Sequence, residues 1–191
     1  MKTFRTIAIA LTTAASMAAA APALAATDGP FTGGYVAAVG GWDRMQADHA
    51  NRNGFAYGAQ AGYDLASGNV RFGPEVEVTG STQKGCDHNG NASYCADAGR
   101  DFFVGGRVGY VATPKTLVYL TGGYTNARYT GAISDGVTTV SNDKDHSGAR
   151  IGAGVEYAIT PTLFVKTEYR YSNYSDSIAR NQILGGIGVR F

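Results

Sequence analysis

Residues 150–172 read RIGAGVEYAITPTLFVKTEYRYS, two runs of alternating character on either side of Thr160-Pro161-Thr162. Along an extended chain, side chains point to opposite faces in turn. In the second run Leu163, Val165, Thr167, Tyr169 and Tyr171 share one face, and Phe164, Lys166, Glu168, Arg170 and Ser172 share the other. In the first, Ile151, Ala153, Val155, Tyr157 and Ile159 oppose Arg150, Gly152, Gly154, Glu156 and Ala158. Each run predicts a strand with one apolar face and one that carries charge. The stretch VRFGPEVEVTG repeats the split, with Val70, Phe72, Pro74, Val76 and Val78 against Arg71, Gly73, Glu75, Glu77 and Thr79.

A soluble β-sandwich also alternates, so length and spacing must separate the two readings. Runs of about ten residues match a tilted strand crossing a bilayer, whereas sandwich strands are more often about five or six residues. Gly152, Gly154, Gly185, Gly186 and Gly188 fall inside strands, where they would weaken a soluble sheet. In a narrow barrel they leave room for long charged side chains across the lumen. The chain has 27 Gly and 12 Tyr among 191 residues, a glycine share about twice the usual ~7%, which disfavours helix and favours pleated surfaces.

Extending the pattern gives eight strands, at 31–43, 54–65, 70–81, 101–111, 117–130, 148–159, 163–173 and 182–191. Their connections alternate in length. The short ones, 66–69, 112–116 and 160–162, carry Gly, Asn and Pro, the chemistry of tight turns. The long ones, 44–53, 82–100, 131–147 and 174–181, hold most of the runs of Asn, Asp, Ser and His. This alternation predicts an all-β chain forming an eight-stranded antiparallel transmembrane β-barrel, with short turns at one end and long loops at the other. Backbone groups cannot stay unpaired in lipid, so the last strand must pair with the first. Ile183, Ile187, Val189 and Phe191 then form the lipid face of the closing strand, and Tyr157, Tyr169, Tyr171, Phe102 and Tyr110 become outward aromatics suited to the membrane interface. The first strand is too rich in Gly and Ala to assign a face to Trp42.

Ahead of the barrel, residues 1–25 carry Lys2 and Arg5, an uncharged run from Ile7 to Ala21 and the small-residue pattern Ala23-Leu24-Ala25. That is the pattern of a cleaved signal peptide, leaving residues 26–191 as the barrel domain. Without Lys2 and Arg5, 14 Lys and Arg face 15 Asp and Glu. A near-neutral chain with no basic stripe excludes a nucleic-acid partner. No later run is long and apolar enough for a membrane helix.

The stretches GPEVEV, GGRVGY, LTGGYT, GAGVEYAITPTLFVKTEYRYS and GIGVRF resemble the small eight-stranded outer-membrane barrel family of opacity-type surface antigens, related to the OmpA barrel and OmpX and often labelled porins. The resemblance covers the whole chain after the signal. It implies a Gram-negative outer membrane with lipid around the barrel, loops extracellular and both termini periplasmic. It also implies that Ile187, Val189 and Phe191 form the terminal signal read by the barrel-assembly machinery. No peptidoglycan-binding domain is expected after Phe191.

Eight strands enclose a lumen just wide enough for side chains to fill. The inward charges are Arg71, Arg107, Arg150, Lys166, Arg170 and Arg190 against Asp64, Glu75, Glu77, Glu156 and Glu168. So balanced a set predicts a paired, plugged network, whereas a selective pore would be lined by one sign. The expected role is therefore structural, with loops at 82–100 and 131–147 meeting an extracellular ligand or host surface. A narrow porin passing small solutes is the alternative. An outer-membrane lipid-modifying enzyme comes second, since His146, Ser147 and Glu156 are its best candidates, yet adjacent strand residues point to opposite faces. A lipocalin-like carrier, suggested by Gly40-Gly41-Trp42, would need an apolar lumen. Cys86 and Cys95 form an even pair in an oxidising compartment and predict a loop disulfide. With His88 they fit no familiar zinc pattern, and His49, His88 and His146 lie scattered in loops, so neither metal nor cofactor is expected.

Overall fold

The computed structural model describes residues 30–47, 50–89, 92–134, 139–175 and 178–191, and for parts of the loop-end hairpins only the backbone path. Nine antiparallel strands follow one another: β1 (Gly33–Ala47), β2 (Ala50–Ser67), β3 (Val70–Ser81), β4 (Lys84–Asn89), β5 (Ala92–Thr113), β6 (Thr116–Ser134), β7 (Thr139–Ala158), β8 (Leu163–Tyr174) and β9 (Ile178–Arg190). Chain neighbours pair with one exception: β3 does not pair with β4 but reaches past it to β5, from Val70↔Tyr110 to Thr79↔Asp101. The seam is β1 on β9, from Tyr35↔Arg190 to Gln46↔Ala179. Eight strands therefore close a ring, and β4 lies outside it, paired with β5.

The ring contains all eight expected strands, but the expected loops are largely ladder. Pairing of β1 with β2 continues to Ala47↔Ala50, β5 with β6 to Ser93↔Ser134, and β6 with β7 to Ser134↔Thr139. The stretch 82–100, read as irregular, holds β4 and the start of β5. The apolar alternation used to find strands records where one face meets lipid. Backbone pairing itself does not need lipid, so the polar ends stay extended past the point where that signal stops. Because β7 meets β8 only from Gly148↔Tyr174 onward, the outer parts of β4, β5, β6 and β7 project as a sheet beyond the ring.

At the opposite end the turns are tight. Ser67↔Val70 is closed by Gly68-Asn69, with Gly68 at φ 58°, a left-handed position that other residues adopt at a cost. The chain enters the barrel here, and Phe31 is buried at φ 64°, folded under the lumen with its ring 5.9 Å from the Arg190 guanidinium.

Facing sides are as the alternation requires. Outward residues are aliphatic in the middle of the strands, including Val76, Val104, Val108, Val118, Leu120, Ile151 and Ile187. Aromatics gather toward both ends: Trp42, Phe55, Tyr57, Phe102 and Tyr124 near the loops, and Tyr63, Phe72, Tyr110 and Tyr157 near the turns. Trp42, unassigned from sequence, is outward. On β5, Phe102 and Tyr110 stand eight residues apart, roughly 26 Å along the strand and about 20 Å along the axis once tilt is allowed. That separation suits a hydrocarbon slab bounded by two aromatic rows.

Candidate functional site: the charged lumen

Every charge assigned inward from sequence is buried inside the ring. Buried charges persist only if paired and hydrogen-bonded, and the pairing falls into two clusters. Toward the turns, Arg107 donates through both Nε (2.8 Å) and Nη2 to the Asp64 carboxylate and through Nη1 to Glu156 at 3.3 Å. Arg190 donates to the same two acids, at 2.8 Å to Asp64 and 2.7 Å to Glu156. Two cations and two anions form a closed quartet, supplied by β2, β5, β7 and β9, every second strand of the ring.

Toward the loops, the charges form an open chain of alternating sign. Lys166 pairs with Glu168 at 2.9 Å, and Arg170 donates to Glu168 and to Glu77 at 2.5 Å each. Glu77 also accepts from Arg150 at 3.0 Å, Arg150 donates on to Asp101, and Arg180 joins Asp101 (3.0 Å) to Asp43 (2.7 and 2.6 Å). Hydroxyls add to the network: Tyr174 and Thr125 donate to Asp101, Ser81 donates to Asp43, and Ser172 accepts from Arg150.

Two tyrosines lie between the clusters. The Arg107 guanidinium sits 4.1 Å over the Tyr35 ring and 5.0 Å over Tyr119, whose other neighbour is the Lys166 ammonium at 4.9 Å. Such cation–π contacts attract the two cations to the ring faces away from water. Tyr35 donates to Glu75 at 2.6 Å and Tyr119 to Glu168 at 2.7 Å. Glu75 takes a second bond from Thr121 (3.1 Å), and no cation among the described residues forms an ion pair with it. Arg71 sits at the turn mouth, donating to the carbonyls of Pro30, Gly68 and Val70. It ties the entering chain to the first turn.

Glycines make space for these rings. A Cβ on Gly62 would stand 2.4 Å from the Tyr35 hydroxyl, and one on Gly154 would stand 2.5 Å from the Tyr119 ring. The glycine-rich composition is thus partly the imprint of large inward side chains on neighbouring strands.

Three members of the network were not assigned from sequence: Asp43, Asp101 and Arg180. Asp101 shares strand parity with Arg107 and was legible on that ground. Arg180 lay in a stretch read as loop, although it has the parity of Gln182 and Arg190. Asp43 stood on the strand whose faces could not be assigned. Of the candidates for catalysis, His146 points inward and is buried, whereas Ser147 points outward to Tyr124 (2.6 Å) and Asn126 (3.3 Å). Glu156 belongs to the quartet, ten residues away on β7. The structure does not bring the three together. The side chains of Cys86 and Cys95, like His49 and His88, lie outside the described residues, but the two cysteine backbones are direct partners in the β4–β5 ladder.

A charged lumen inside an aliphatic wall with two aromatic rows leaves few architectures to compare. The family model for the outer membrane protein beta-barrel domain matches residues 8–191. The chain belongs to this family. A 22 kDa outer membrane protein of Rhizobium leguminosarum bv. viciae is 29% identical over 177 residues, covering 85% of this chain and 79% of that one. The 31 kDa outer-membrane immunogenic protein of Brucella melitensis is 34% identical over 129 residues, 63% of this chain, and the chain spans 54% of that relative's length. Among solved structures, the attachment invasion locus protein of Yersinia pestis superposes with a TM-score of 0.58 at 15% identity, over 84% of this chain and 99% of that one. Neisserial surface protein A gives 0.58 at 16% identity, over 84% and 98%. At such identities the likeness establishes the fold, and with the family match it makes this outer-membrane barrel the frame for the lumen chemistry.

Proposed function

We propose that this outer-membrane barrel is a structural, surface-presenting protein whose lumen is closed by paired charges. The observation that carries the reading is the unbroken alternation Lys166–Glu168–Arg170–Glu77–Arg150–Asp101–Arg180–Asp43 across the lumen. Each charge is paired with at least one neighbour of opposite sign, so an ion entering would have to break a pair and leave a buried charge exposed to low dielectric. The loop end is read as extracellular and the turn end, with both termini, as periplasmic. The projecting β4–β7 sheet would then present its tips to the surroundings.

The test is conductance of the refolded barrel in a planar lipid bilayer, with a boiled sample as control. Silence from protein shown to be folded is expected; steady, reproducible steps would overturn the plug.

The narrow-porin reading draws on the uncharged part of the lumen wall. Gln182 is fully buried with neither amide atom hydrogen-bonded within the protein, and Gln60 Nε2 and Thr79 Oγ1 are in the same position. Beside them Val39, Ala56 and Leu184 form a small apolar cluster. A water thread along this wall could bypass the ion pairs, and stepwise conductance would favour it.

Two supporting assignments belong to the same reading. Residues directly opposite in an antiparallel pair have Cα atoms about 4.5–5.5 Å apart, within the span of a disulfide, which supports a Cys86–Cys95 bridge pinning β4 to β5. Non-reduced protein that takes up two equivalents of thiol alkylator would contradict it. Ile187 and Val189 are outward near the end of β9, and the Phe191 N–H donates to the Gly34 carbonyl at 2.9 Å. That placement at the seam suits recognition of Ile187, Val189 and Phe191 by the barrel-assembly machinery.

A further inference from the structure

On the outer wall, two rows of ladder partners run side by side around the ring. One passes from Val189 through Val36, Ala61 and Val76 to Val104; the next passes from Ile187 through Ala38, Ala59 and Val78 to Phe102. The small side chains of Ala38, Ala59 and Ala61 leave a wound groove of about 990 Å3 between the rows, floored by the backbone of intervening residues such as Ala37 and Gly188. It continues to Leu163 on β8 at one end and Tyr124 on β6 at the other. Six strand spacings give it a length of roughly 29 Å measured across the strands, and because the strands are tilted it climbs the wall obliquely from the turn side to the loop side.

The loop end of this groove is not apolar. The β5–β6 register breaks between Ala98 and Asp101, and the bulge there turns Arg100 outward, its guanidinium 5.0 Å over the Phe102 ring. Arg100 forms no ion pair with any described carboxylate. Next to it on β6, Arg128 donates to Asp145 at 2.8 and 3.1 Å. Two guanidinium groups thus stand on adjacent strands at the level of the loop-end aromatic row, one over the Phe102 ring and the other paired with Asp145. Asn126 and the Tyr124–Ser147 pair add amide and hydroxyl groups on the same outward face.

We propose that this wall is a docking site for a phosphorylated lipid, with a phosphate at Arg100 and an acyl chain running down the groove past Phe102, Val78 and Ala59. The charge is the right sign and height for a headgroup, and guanidinium is well matched to phosphate oxygens. The groove is narrow and wound, so a flexible chain can follow it, whereas a second convex barrel would touch it along a line and leave it unfilled. The orientation proposed above decides only that the outer leaflet supplies the lipid; the site itself can be tested without it, and a conducting lumen would not affect it.

The experiment uses the full refolded barrel, delipidated in detergent, titrated with a synthetic phosphorylated, acylated glucosamine disaccharide and separately with phosphatidylcholine, and read by native mass spectrometry. Tighter retention of the phosphorylated lipid is expected. Arg100→Gln should weaken it about tenfold, the scale of one charge-assisted contact, and Ala59→Phe should weaken it by filling the groove. Heat-modifiable gel mobility shows that each variant is folded. Equal retention of both lipids, wild-type retention by both variants, or full displacement by inorganic phosphate would each overturn the proposal, the last by showing an ion site without a chain site.

Discussion

The quartet near the turns and the chain near the loops use the same residue types but are wired differently. In the quartet, each charge has two partners and the circuit closes, so Asp64, Arg107, Glu156 and Arg190 are neutral as a set. The loop-side chain is neutral too, but only as a whole. It starts at Lys166, where Gln60 supplies an extra acceptor, and ends at Asp43, where Ser81 and Arg180 meet. Removing an interior member cuts it into fragments with unlike charge. The difference implies that the quartet behaves as a local clasp, and that the chain is a cooperative network, the plug of the proposed function, whose weakest points are its middle members.

The largest effect should come from the middle. Arg150→Met removes the partner of Glu77, Asp101, Ser172 and Tyr174 together, and breaking a buried pair costs about 3–5 kcal/mol. The urea midpoint in micelles should fall accordingly, and bilayer conductance should become measurable. A midpoint unchanged from wild type would show that the chain is not cooperative. Glu168→Gln, nearer the Lys166 end, should cost about 3 kcal/mol, since it strips Lys166 and Arg170 of a shared carboxylate.

In the quartet, Asp64→Asn leaves Arg107 and Arg190 sharing Glu156. A loss of about 2–3 kcal/mol is expected and, if the loop-side chain closes the lumen as proposed, no conductance, because that chain is intact. Channel steps in this variant would mean that the quartet, and not the chain, is the barrier.

Glu75→Gln sharpens the comparison from outside both clusters. The amide oxygen can still accept from Tyr35, its NH2 can donate to the Thr121 hydroxyl, which has the Gly106 carbonyl as its own acceptor, and no cation is left stranded, so the midpoint should move by less than about 1 kcal/mol. A loss as large as that of Glu168→Gln would show that Glu75 balances the lumen charge at a distance.

The smallest effect belongs to the exposed rim pair. The hydrogen bond from Arg128 holds the Asp145 carboxyl below its usual range. A depressed carboxylate pKa stabilises the fold above the unfolded value, near 4, and that contribution fades as pH falls through the folded value. Asp145→Asn should thus be indistinguishable from wild type at neutral pH in salt, with any difference in stability confined to neutral-to-acid titrations run at low ionic strength. A clear loss of stability at pH 7 in salt would contradict this.

How much of this was legible beforehand depended on what each feature needs. Parity along 150–172 placed Arg150, Glu156, Lys166, Glu168 and Arg170 inside because a strand's two faces differ residue by residue, and one face had to meet lipid. The same rule, applied to Asp101, would have found it. It failed at Asp43, where glycine and alanine blur the faces, and at Arg180, where polar residues ended the alternation before the strand ended. The loops at 82–100 and 131–147 were misjudged for that second reason.

The alternation in the sequence therefore determined the barrel, its closure and the side on which the charges of its clearly alternating strands fall, because these depend on local parity and on the ban on unpaired backbone in lipid. The tertiary structure alone decided which charge meets which. Arg180 reaches Asp43 across 137 residues, and Arg190 reaches Asp64 across 126. Those meetings follow from strand tilt and from the register at the β1–β9 seam, which no short stretch of chain contains.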